Sequence, residues 1–315
     1  MREKLPEGFR IKTVNKSDGD PCYEGLRRLW SDVFGDPVEF VDAVYDNFGA
    51  DINGYAVLDA DDEVVSSLTC YKCGTFEGKP VHVSYAVCTR EDCRGLGLAG
   101  TLTRCVKDEV ISQGGISLIS PAEESLQTFY ADLGYEPFFC ASRRAVLSPE
   151  FDIEEYDEYD EEDNEILAEA GTPELDMTPV SAEVYNRYRE AFLSGRPHVE
   201  MTSEMLALVR SASNNADGLY AINRGDAICV VEEASGRVVM SEFIVSPILQ
   251  DISEEIGCEI ASMIAGKFGA IEAEYHEPGG HTCQAMAAGI DTREHLADDE
   301  EEYIYREAYF GFPLE

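Results

Sequence analysis

The sequence predicts an α/β (α+β) fold, in which a mostly antiparallel mixed sheet is flanked by helices and the whole unit occurs twice in tandem. In each half of the chain, two helical patterns precede three strand-like runs, and a further helix and strand follow. Short turns, such as DADDE at 59–63, join the strand-like runs directly, which indicates hairpins. A doubly wound parallel sheet would instead need a helix between successive strands.

The first half begins with alternating apolar residues and continues with apolar residues three and four apart, which indicates a strand followed by helices. Its predicted elements are a strand at 9–14, helices at 23–34 and 38–48, strands at 55–58, 64–71 and 81–87, a helix that ends at Gly114, a strand at 116–119, a helix at 126–133 and closing strands within 135–147. Gly134 follows the last of these helices and is typical of a helix C-cap.

The second half repeats part of this order, which indicates a duplicated unit. Its predicted elements are helices at 184–193 and 205–209, strands at 220–222, 228–232 and 238–245, a helix at 248–268 and a strand at 270–275. Between the halves, 150–165 carries eleven carboxylates and no basic residue. Such a segment repels itself and cannot pack, so the predicted division is a domain at 1–148, an acidic linker at 149–173 and a second domain at 174–315.

The composition limits the class of protein. The 315 residues include 63 Asp and Glu against 24 Lys and Arg, a formal net charge of -39, and 44% are hydrophobic. The apolar fraction argues against wholesale disorder, and the charge disfavours nucleic acid and anionic membrane as partners. No run of about 18 apolar residues is present, which predicts a cytoplasmic protein. Salt adaptation and attraction of cationic substrates both stay open as reasons for the acidity.

The ten cysteines predict buried, reduced thiols, because most lie in apolar stretches. A structural zinc site would need Cys70 with Cys73, and Cys88 with Cys93, on tight turns, yet Cys70 and Cys88 each end a strand-like run. The segment YHEPGGHTC, at 275–283, also contains metal-ligand residue types, but a solvated loop is the favoured interpretation. No metal is therefore predicted.

The segment YAVCTREDCRGLGLAGTLTRCV, at 85–106, is the most informative. In it a strand leads through a loop to a helix opened by Gly95, Gly97 and Gly100. The first turn of a helix has unpaired N–H groups and a positive dipole end, and glycines let a ligand approach the backbone, so the turn suits a phosphate. Tight packing of strand against helix is the alternative. Neither a Walker loop nor a dinucleotide fingerprint fits, because the GK[ST] ending is missing and the preceding strand belongs to a hairpin meander.

The same region resembles a known family. RGLGLA, at 94–99, is similar to the (R/Q)xxGx(G/A) motif of the GNAT superfamily of acyl-CoA-dependent N-acetyltransferases. YAVCT, at 85–89, resembles the fourth strand of that family, and SLQTFYADLGYEPF, at 125–138, resembles its xLYxxLGF signature. The resemblance covers about 9–147. The second half resembles the fold in outline only, since PILQDIS, at 247–253, replaces the glycine turn.

The resemblance implies where acetyl-CoA, as co-substrate, would bind. Backbone N–H groups of the glycine turn would hold its pyrophosphate, and the residues concerned are Gly95, Leu96, Gly97, Leu98, Ala99 and Gly100. Arg94, with Arg90 as a further candidate, would add positive charge, and pairing with the acids of the same loop is the alternative. The pantetheine arm would lie beside Val87, with the N–H of Val87 or Cys88 facing the thioester oxygen.

The resemblance also implies catalytic roles. Tyr130 stands where the family carries the general acid that protonates the departing thiolate, and the alternative is an aromatic side chain that only packs. An alkylammonium of pKa about 10.4 must lose a proton before it attacks, so a base is expected. Glu123 and Glu124 precede the Tyr130 helix, at positions where many members of the family have Asn. Cys88 as an acyl-carrying nucleophile is disfavoured, because direct attack by the amine is the usual route of the family.

These implications predict a cytoplasmic N-acetyltransferase whose first domain acetylates a primary amine. The second domain would be a degenerate GNAT-like unit that binds no cofactor and shapes the acceptor cleft or an oligomer interface. The acidic balance favours a cationic acceptor such as a polyamine, an aminoglycoside or a basic peptide. Two alternatives stay open: a non-catalytic acyl-CoA sensor in which Tyr130 only packs, and an interaction protein whose acidic linker recruits a basic partner. Homo-oligomer formation also stays open.

Overall fold

The protein is described by a computed structural model over residues 5–150, 175–212, 218–234, 236–291 and 308–311. The chain divides into two compact units. The first comprises Met1–Ala141, Gly195–Leu208 and Gly279–Glu315, and the second comprises Ser142–Ser194 and Val209–Pro278. This division differs from the predicted one at 148 and 174, because two later segments pack with the N-terminal unit. The predicted linker, 149–173, lies outside the described residues from 151 onward.

The elements of the first 150 residues follow the predicted order. They are β1 (Arg10–Val14), α1 (Cys22–Phe34), α2 (Val38–Phe48), β2 (Ile52–Leu58), β3 (Val64–Phe76), β4 (Lys79–Thr89), α3 (Leu98–Ser112), β5 (Ile116–Ile119), α4 (Ser125–Ala131) and β6 (Glu136–Leu147). β3 and β4 are longer than predicted, because Glu77 and Gly78, both with positive φ, join them in a two-residue hairpin turn. A single strand, β6, replaces the predicted closing strands.

The later elements depart further from the prediction. They are β7 (Met177–Pro179), α5 (Ala182–Phe192), β8 (Glu200–Met201), α6 (Ser203–Ala212), β9 (Leu219–Ile222), β10 (Ala227–Ala234), β11 (Arg237–Val245), α7 (Ser253–Lys267), β12 (Glu272–Pro278) and β13 (Thr282–Ala288). The predicted helix at 248–268 begins instead as a 3-10 helix, Pro247–Ile252. The predicted loop at 275–283 was wrong, because this segment runs from β12 into β13.

The sheet of the first unit has the strand order β1-β2-β3-β4-β5-β13-β6. All neighbours are antiparallel except β4 and β5, which run parallel. β13 therefore lies between β5 and β6, where Met286 pairs with Ile119. α3 covers part of this sheet and buries Leu98, Leu102 and Val106 in a shared core.

The sheet of the second unit has the order β12-β11-β10-β9-β7, with the end of β6 beside β12. β11 and β12 run parallel, whereas β10 is antiparallel to both β11 and β9. A buried network ties α5 to this sheet, since Glu242 accepts hydrogen bonds from Arg189 at 3.0 Å and from Tyr185 at 2.8 Å. The predicted fold class, with mixed sheets and flanking helices, is confirmed, whereas the GNAT-like character of the second unit stays a prediction.

Candidate active site

The two parallel strands of the first unit separate toward their C-terminal ends. β4 and β5 pair only from Val81 with Ile116 to Val83 with Leu118, although β4 continues to Thr89. No described strand pairs with β4 on this side beyond Val83. The exposed backbone edge is a place where an extended ligand can add as a further strand.

A β-bulge at Ala86 redirects the end of β4. The register with β3 shifts between two pairs, Thr69 with Tyr85 and Ser67 with Cys88. Ala86 has a φ of 52°, in the left-handed region. A non-glycine residue there costs roughly 1–2 kcal/mol, so the surrounding strand pairing must hold the bulge. Bulges of this kind terminate pairing and re-aim side chains beside functional sites.

The glycine turn follows β4 and leads into α3, as the sequence predicts. After a short 3-10 helix, Glu91–Cys93, Gly95 and Gly97 take φ values of 78° and 80°, which glycine adopts without a Cβ penalty. Leu98 anchors the start of α3 with a side chain that is 1% exposed. Among the described side chains none caps α3, so its first N–H groups are left for water or a ligand.

The turn presents its backbone rather than its side chains. Leu96 packs on the core under α3, Ala99 is half-buried and Gly100 is buried. A Cβ placed on Gly95 would meet no atom within 4 Å, so the space beside this residue is open. The amides of the turn can therefore be approached closely by a ligand.

The two arginines of the loop differ in their contacts. Arg90 lies 2.7 Å from Asp92 and 3.7 Å from Asp59, so these carboxylates take up its charge. Arg94 is exposed and donates from Nε to the Thr89 carbonyl at 3.3 Å. No carboxylate of the described residues lies within 4 Å of Arg94. Arg94 is therefore the cation of this loop that is free to meet a phosphate.

A cavity of about 230 Å³ lies where β4 and β5 separate. Ala86 and Val87 line it from β4, Ile119 from the end of β5 and Tyr130 from α4. Val87 also packs on two core clusters, one of which contains Leu98 and the other Tyr130. The structure thus brings together two residues of the predicted site, Val87 and Tyr130, and places Val87 between Tyr130 and the start of α3.

Tyr130 packs in the core and also lines the cavity. Its side chain is 7% exposed, and its ring lies edge-on to Phe129 and Tyr135, with centroids 5.0 and 6.2 Å away. No described residue forms a hydrogen bond with its hydroxyl group, whereas the hydroxyl of Tyr135 lies 2.8 Å from Ser117. Burial raises the pKa of Tyr130 to about 12, so the phenol is protonated at neutral pH.

The side chain of Cys88 does not belong to the described lining of the cavity. Its sulfur lies 3.2 Å from the Ser67 hydroxyl on β3. Burial raises the pKa of Cys88 to about 11, which keeps the group a thiol at neutral pH and a poor nucleophile. The backbone amide of Cys88 is the part of this residue that can serve the predicted site.

The structure does not bring Glu123 or Glu124 to the cavity. Both are exposed just before α4, and Glu123 accepts a hydrogen bond from Ser125 at 3.0 Å. The carboxylate that lines the cavity is instead Asp36, between α1 and α2. The sequence analysis did not single out Asp36, because only the packing of α1 on the sheet places this residue beside β4.

The cysteines and helices of the described residues bear on metal binding and on membrane insertion. All ten cysteines are free, and Cys70 and Cys73 are buried in β3. Within the described residues, no group of three or more His, Cys, Asp or Glu is arranged to hold a metal ion. None of the described helices is both long and apolar enough to cross a membrane.

Comparison with protein families finds a match within the first unit. Residues 20–135 match the model of the acetyltransferase (GNAT) family. This segment contains both the glycine turn and Tyr130, so the GNAT resemblance is confirmed for the part of the chain that carries the site. A sequence comparison with curated proteins finds no match.

Solved structures share the fold over a longer stretch. A protein of Enterococcus faecalis described as a probable N-acyltransferase superposes with a TM-score of 0.58 at 14% identity, over 89% of this chain and 70% of that one. A GCN5-related N-acetyltransferase of Kribbella flavida superposes with a TM-score of 0.56 at 17% identity, over 85% of this chain and 64% of that one. Eis1 of Mycobacterium abscessus superposes with a TM-score of 0.52 at 11% identity, over 85% of this chain and 65% of that one. This chain therefore spans less than two thirds of the latter two proteins, and the likeness concerns the fold.

Proposed function

We propose that the first unit is an N-acetyltransferase that moves an acetyl group from acetyl-CoA to a primary amine. The cavity between β4 and β5 is the observation that supports this most, because it joins Val87, near the glycine turn, to the protonated phenol of Tyr130. Members of the GNAT family are acyltransferases and normally use acetyl-CoA. A cytoplasmic location and a homo-oligomer stay predictions from the sequence.

The residues of the site fit acetyl-CoA. The amides of 95–100 and the charge of Arg94 offer donors for a diphosphate, and the space beside Gly95 is open. The backbone edge of β4 beyond Val83 suits the amide groups of a pantetheine arm. A local cationic site of this kind is needed, because the net charge of -39 otherwise repels an anionic ligand.

The reaction follows from the groups around the cavity. Acetyl-CoA, when bound, supplies an acetyl group on a thiol leaving group. The acceptor ammonium first loses one proton to water, and the nitrogen lone pair then attacks the thioester carbon. A C–N bond forms as the C–S bond breaks, and the sulfur leaves with the bonding pair while Tyr130 donates a hydrogen bond to it. The second proton lost by nitrogen ends on sulfur, so the products are an amide, the CoA thiol and one proton.

The second unit takes no part in cofactor binding in this proposal. Between β11 and α7 it has the 3-10 helix Pro247–Ile252 where the first unit has its glycine turn. Pro247 has no N–H group to donate to a phosphate. The local backbone therefore offers a poorer anion site than the turn before α3.

A matched pair of glycine variants tests the proposal. Gly95 and Gly114 precede and follow α3, both have a φ near 80°, and a Cβ on either would meet no protein atom within 4 Å. Alanine at either position therefore brings a similar strain of about 1–2 kcal/mol. Only Gly95→Ala places a methyl group where the pyrophosphate would lie.

Calorimetric titration with acetyl-CoA is expected to show weaker binding by Gly95→Ala, by about tenfold or more, and unchanged binding by Gly114→Ala. Release of the CoA thiol with a panel of primary amines then measures transfer. Equal affinities of the two variants would contradict the placement of the pyrophosphate. Acetyl-CoA binding without transfer to any amine would favour the non-catalytic sensor.

A further inference from the structure

The described lining of the cavity includes one carboxylate, that of Asp36. Among the described residues that line the cavity, Asp36 is the only acidic or basic one apart from tyrosines. The remaining lining side chains are aromatic, aliphatic or hydroxyl-bearing, and they include Trp30, Phe34 and Tyr85. The cavity is therefore an apolar pocket with a single anionic group.

The carboxylate of Asp36 is held in place from one side. Its Oδ2 accepts a hydrogen bond of 2.7 Å from Nε1 of Trp30, whose side chain is 1% exposed and lies edge-on to Tyr85 at 5.3 Å. Gly35 ends α1 with a φ of 80° and donates its N–H to the Ser31 carbonyl at 2.8 Å. The turn is therefore fixed before a ligand arrives.

The other oxygen of Asp36, Oδ1, has no hydrogen-bond partner among the residues that the structure describes. No described residue donates a hydrogen bond to Oδ1, and no described Lys, Arg or His nitrogen lies within 4 Å of this carboxylate. A half-buried carboxylate among aromatic side chains is partly shielded from water, so a cation that donates hydrogen bonds stabilises its charge. The ammonium group of the acceptor is such a cation.

The size of the cavity limits what can carry this ammonium group. A cavity of about 230 Å³ is smaller than the roughly 300–1,000 Å³ of pockets for drug-sized ligands. The acetyl group beside Val87 takes part of that space. A polyamine or an aminoglycoside carries several ammonium groups, whereas the described lining offers one carboxylate.

We propose that Asp36 selects the acceptor, which is a compact monoamine with an aromatic or apolar body, by binding its ammonium group at Oδ1. This inference rests on the proposed acetyltransferase function and narrows the cationic acceptor expected from the sequence. Asp36 acts as a specificity-determining residue, while Trp30 positions its carboxylate. Phe34, half exposed, would cover the body of the amine at the rim.

Acceptor competition and a charge-neutral variant test the proposal. The probes are phenethylamine as the compact monoamine, spermidine as the polyamine, tobramycin as the aminoglycoside and phenylhydrazine as an acceptor of similar shape that is uncharged at neutral pH. Asp36→Asn keeps an oxygen that can accept from Trp30 but removes the charge. Asp32→Asn is the matched control, because Asp32 is exposed on α1 and is absent from the described lining.

The wild-type protein is expected to show a kcat/KM for phenethylamine at least about tenfold above that for spermidine or tobramycin. The reason is that a further ammonium group of spermidine or tobramycin would lose water at the cavity without gaining a carboxylate partner. Asp36→Asn should lower kcat/KM for phenethylamine by about thirtyfold or more. The same variant should change kcat/KM for phenylhydrazine only slightly, and its affinity for acetyl-CoA, measured by calorimetry, should equal that of the wild type. Asp32→Asn should change none of these quantities.

Three results would overturn the inference in distinguishable ways. If acetyl-CoA binds and spermidine or tobramycin is acetylated as well as phenethylamine, the acceptor class is wrong while the enzyme function stands. If Asp36→Asn affects charged and uncharged acceptors equally, Asp36 is structural. If the wild-type protein neither binds acetyl-CoA nor acetylates any probe, the proposed function fails and this inference fails with it.

Discussion

The proton of Tyr130 permits a quantitative prediction for the proposed reaction. Burial raises the pKa of Tyr130 to about 12, whereas an alkyl thiol has a pKa of about 8.5. Complete transfer of the phenol proton to the departing thiolate is therefore unfavourable by about 4.8 kcal/mol, at about 1.36 kcal/mol per pKa unit. Tyr130 is thus expected to stabilise the developing thiolate as a hydrogen-bond donor and to keep its own proton.

This role sets the size of the effect of Tyr130→Phe. A hydrogen bond to a charged group contributes about 1.5–3 kcal/mol, which corresponds to a loss in kcat of roughly 10- to 150-fold. Initial rates of CoA thiol release at saturating amine measure kcat, and calorimetry measures acetyl-CoA affinity, which should not change. A thioester with a more acidic thiol needs less stabilisation, so the loss should shrink with such a substrate.

Tyr135→Phe is the matched control for this prediction. It also removes a buried hydroxyl group, the one 2.8 Å from Ser117, but Tyr135 is not part of the described lining of the cavity. We expect lower stability and a wild-type kcat. An unchanged kcat in Tyr130→Phe, or an equal loss in the two variants, would refute the reasoning.

Two further predictions concern stability. Ala86→Val should lower the free energy of unfolding by more than about 1 kcal/mol, because a β-branched residue fits the left-handed region poorly, while Ala86→Gly should stay close to wild type in the same denaturant titration. Burial would raise the pKa of Glu274, but hydrogen bonds from Arg143 and His276 outweigh it and hold this pKa below its ordinary value. Arg143→Met should therefore lower the free energy of unfolding at neutral pH. The decrease should be at most about 1 kcal/mol, because Arg143 is largely exposed and solvent screens its ion pair. This difference in stability should disappear as the pH falls below about 4.3, the ordinary pKa of Glu, and through the lowered pKa of Glu274. A difference in thermal unfolding that does not depend on pH would contradict the role of the Arg143–Glu274 pair.

The sequence carries more information about the predicted cofactor side of the site than about its acceptor side. The conformation of Gly95 and Gly97 is a local property of the turn, and Tyr130 lies in a contiguous motif, so neither needs the rest of the fold to be recognised. Asp36 joins the cavity only because α1 packs on the sheet, and no spacing rule connects it with Tyr130. The choice of Glu123 and Glu124 as bases rested on position along the chain, which did not reveal that both lie exposed at the start of α4.

The same difference between local and non-local information explains why β13 was not predicted from the sequence. β13 has the sequence TCQAMAA, in which alanine predominates and intrinsic strand propensity is low. Its conformation is set by pairing with β5 and β6 on either side. Because this late segment enters the N-terminal sheet, the first compact unit is discontinuous in sequence.

The position of β13 also has a consequence for biosynthesis. Ser120 donates a hydrogen bond to the carbonyl of Gln284, 164 residues later in the chain. A ribosome must therefore translate the whole second unit before the sheet of the first can close. During that interval β5 and β6 present unpaired edges, which are sites for intermolecular strand addition. A fragment that stops near residue 141 should accordingly aggregate rather than form a minimal acetyltransferase.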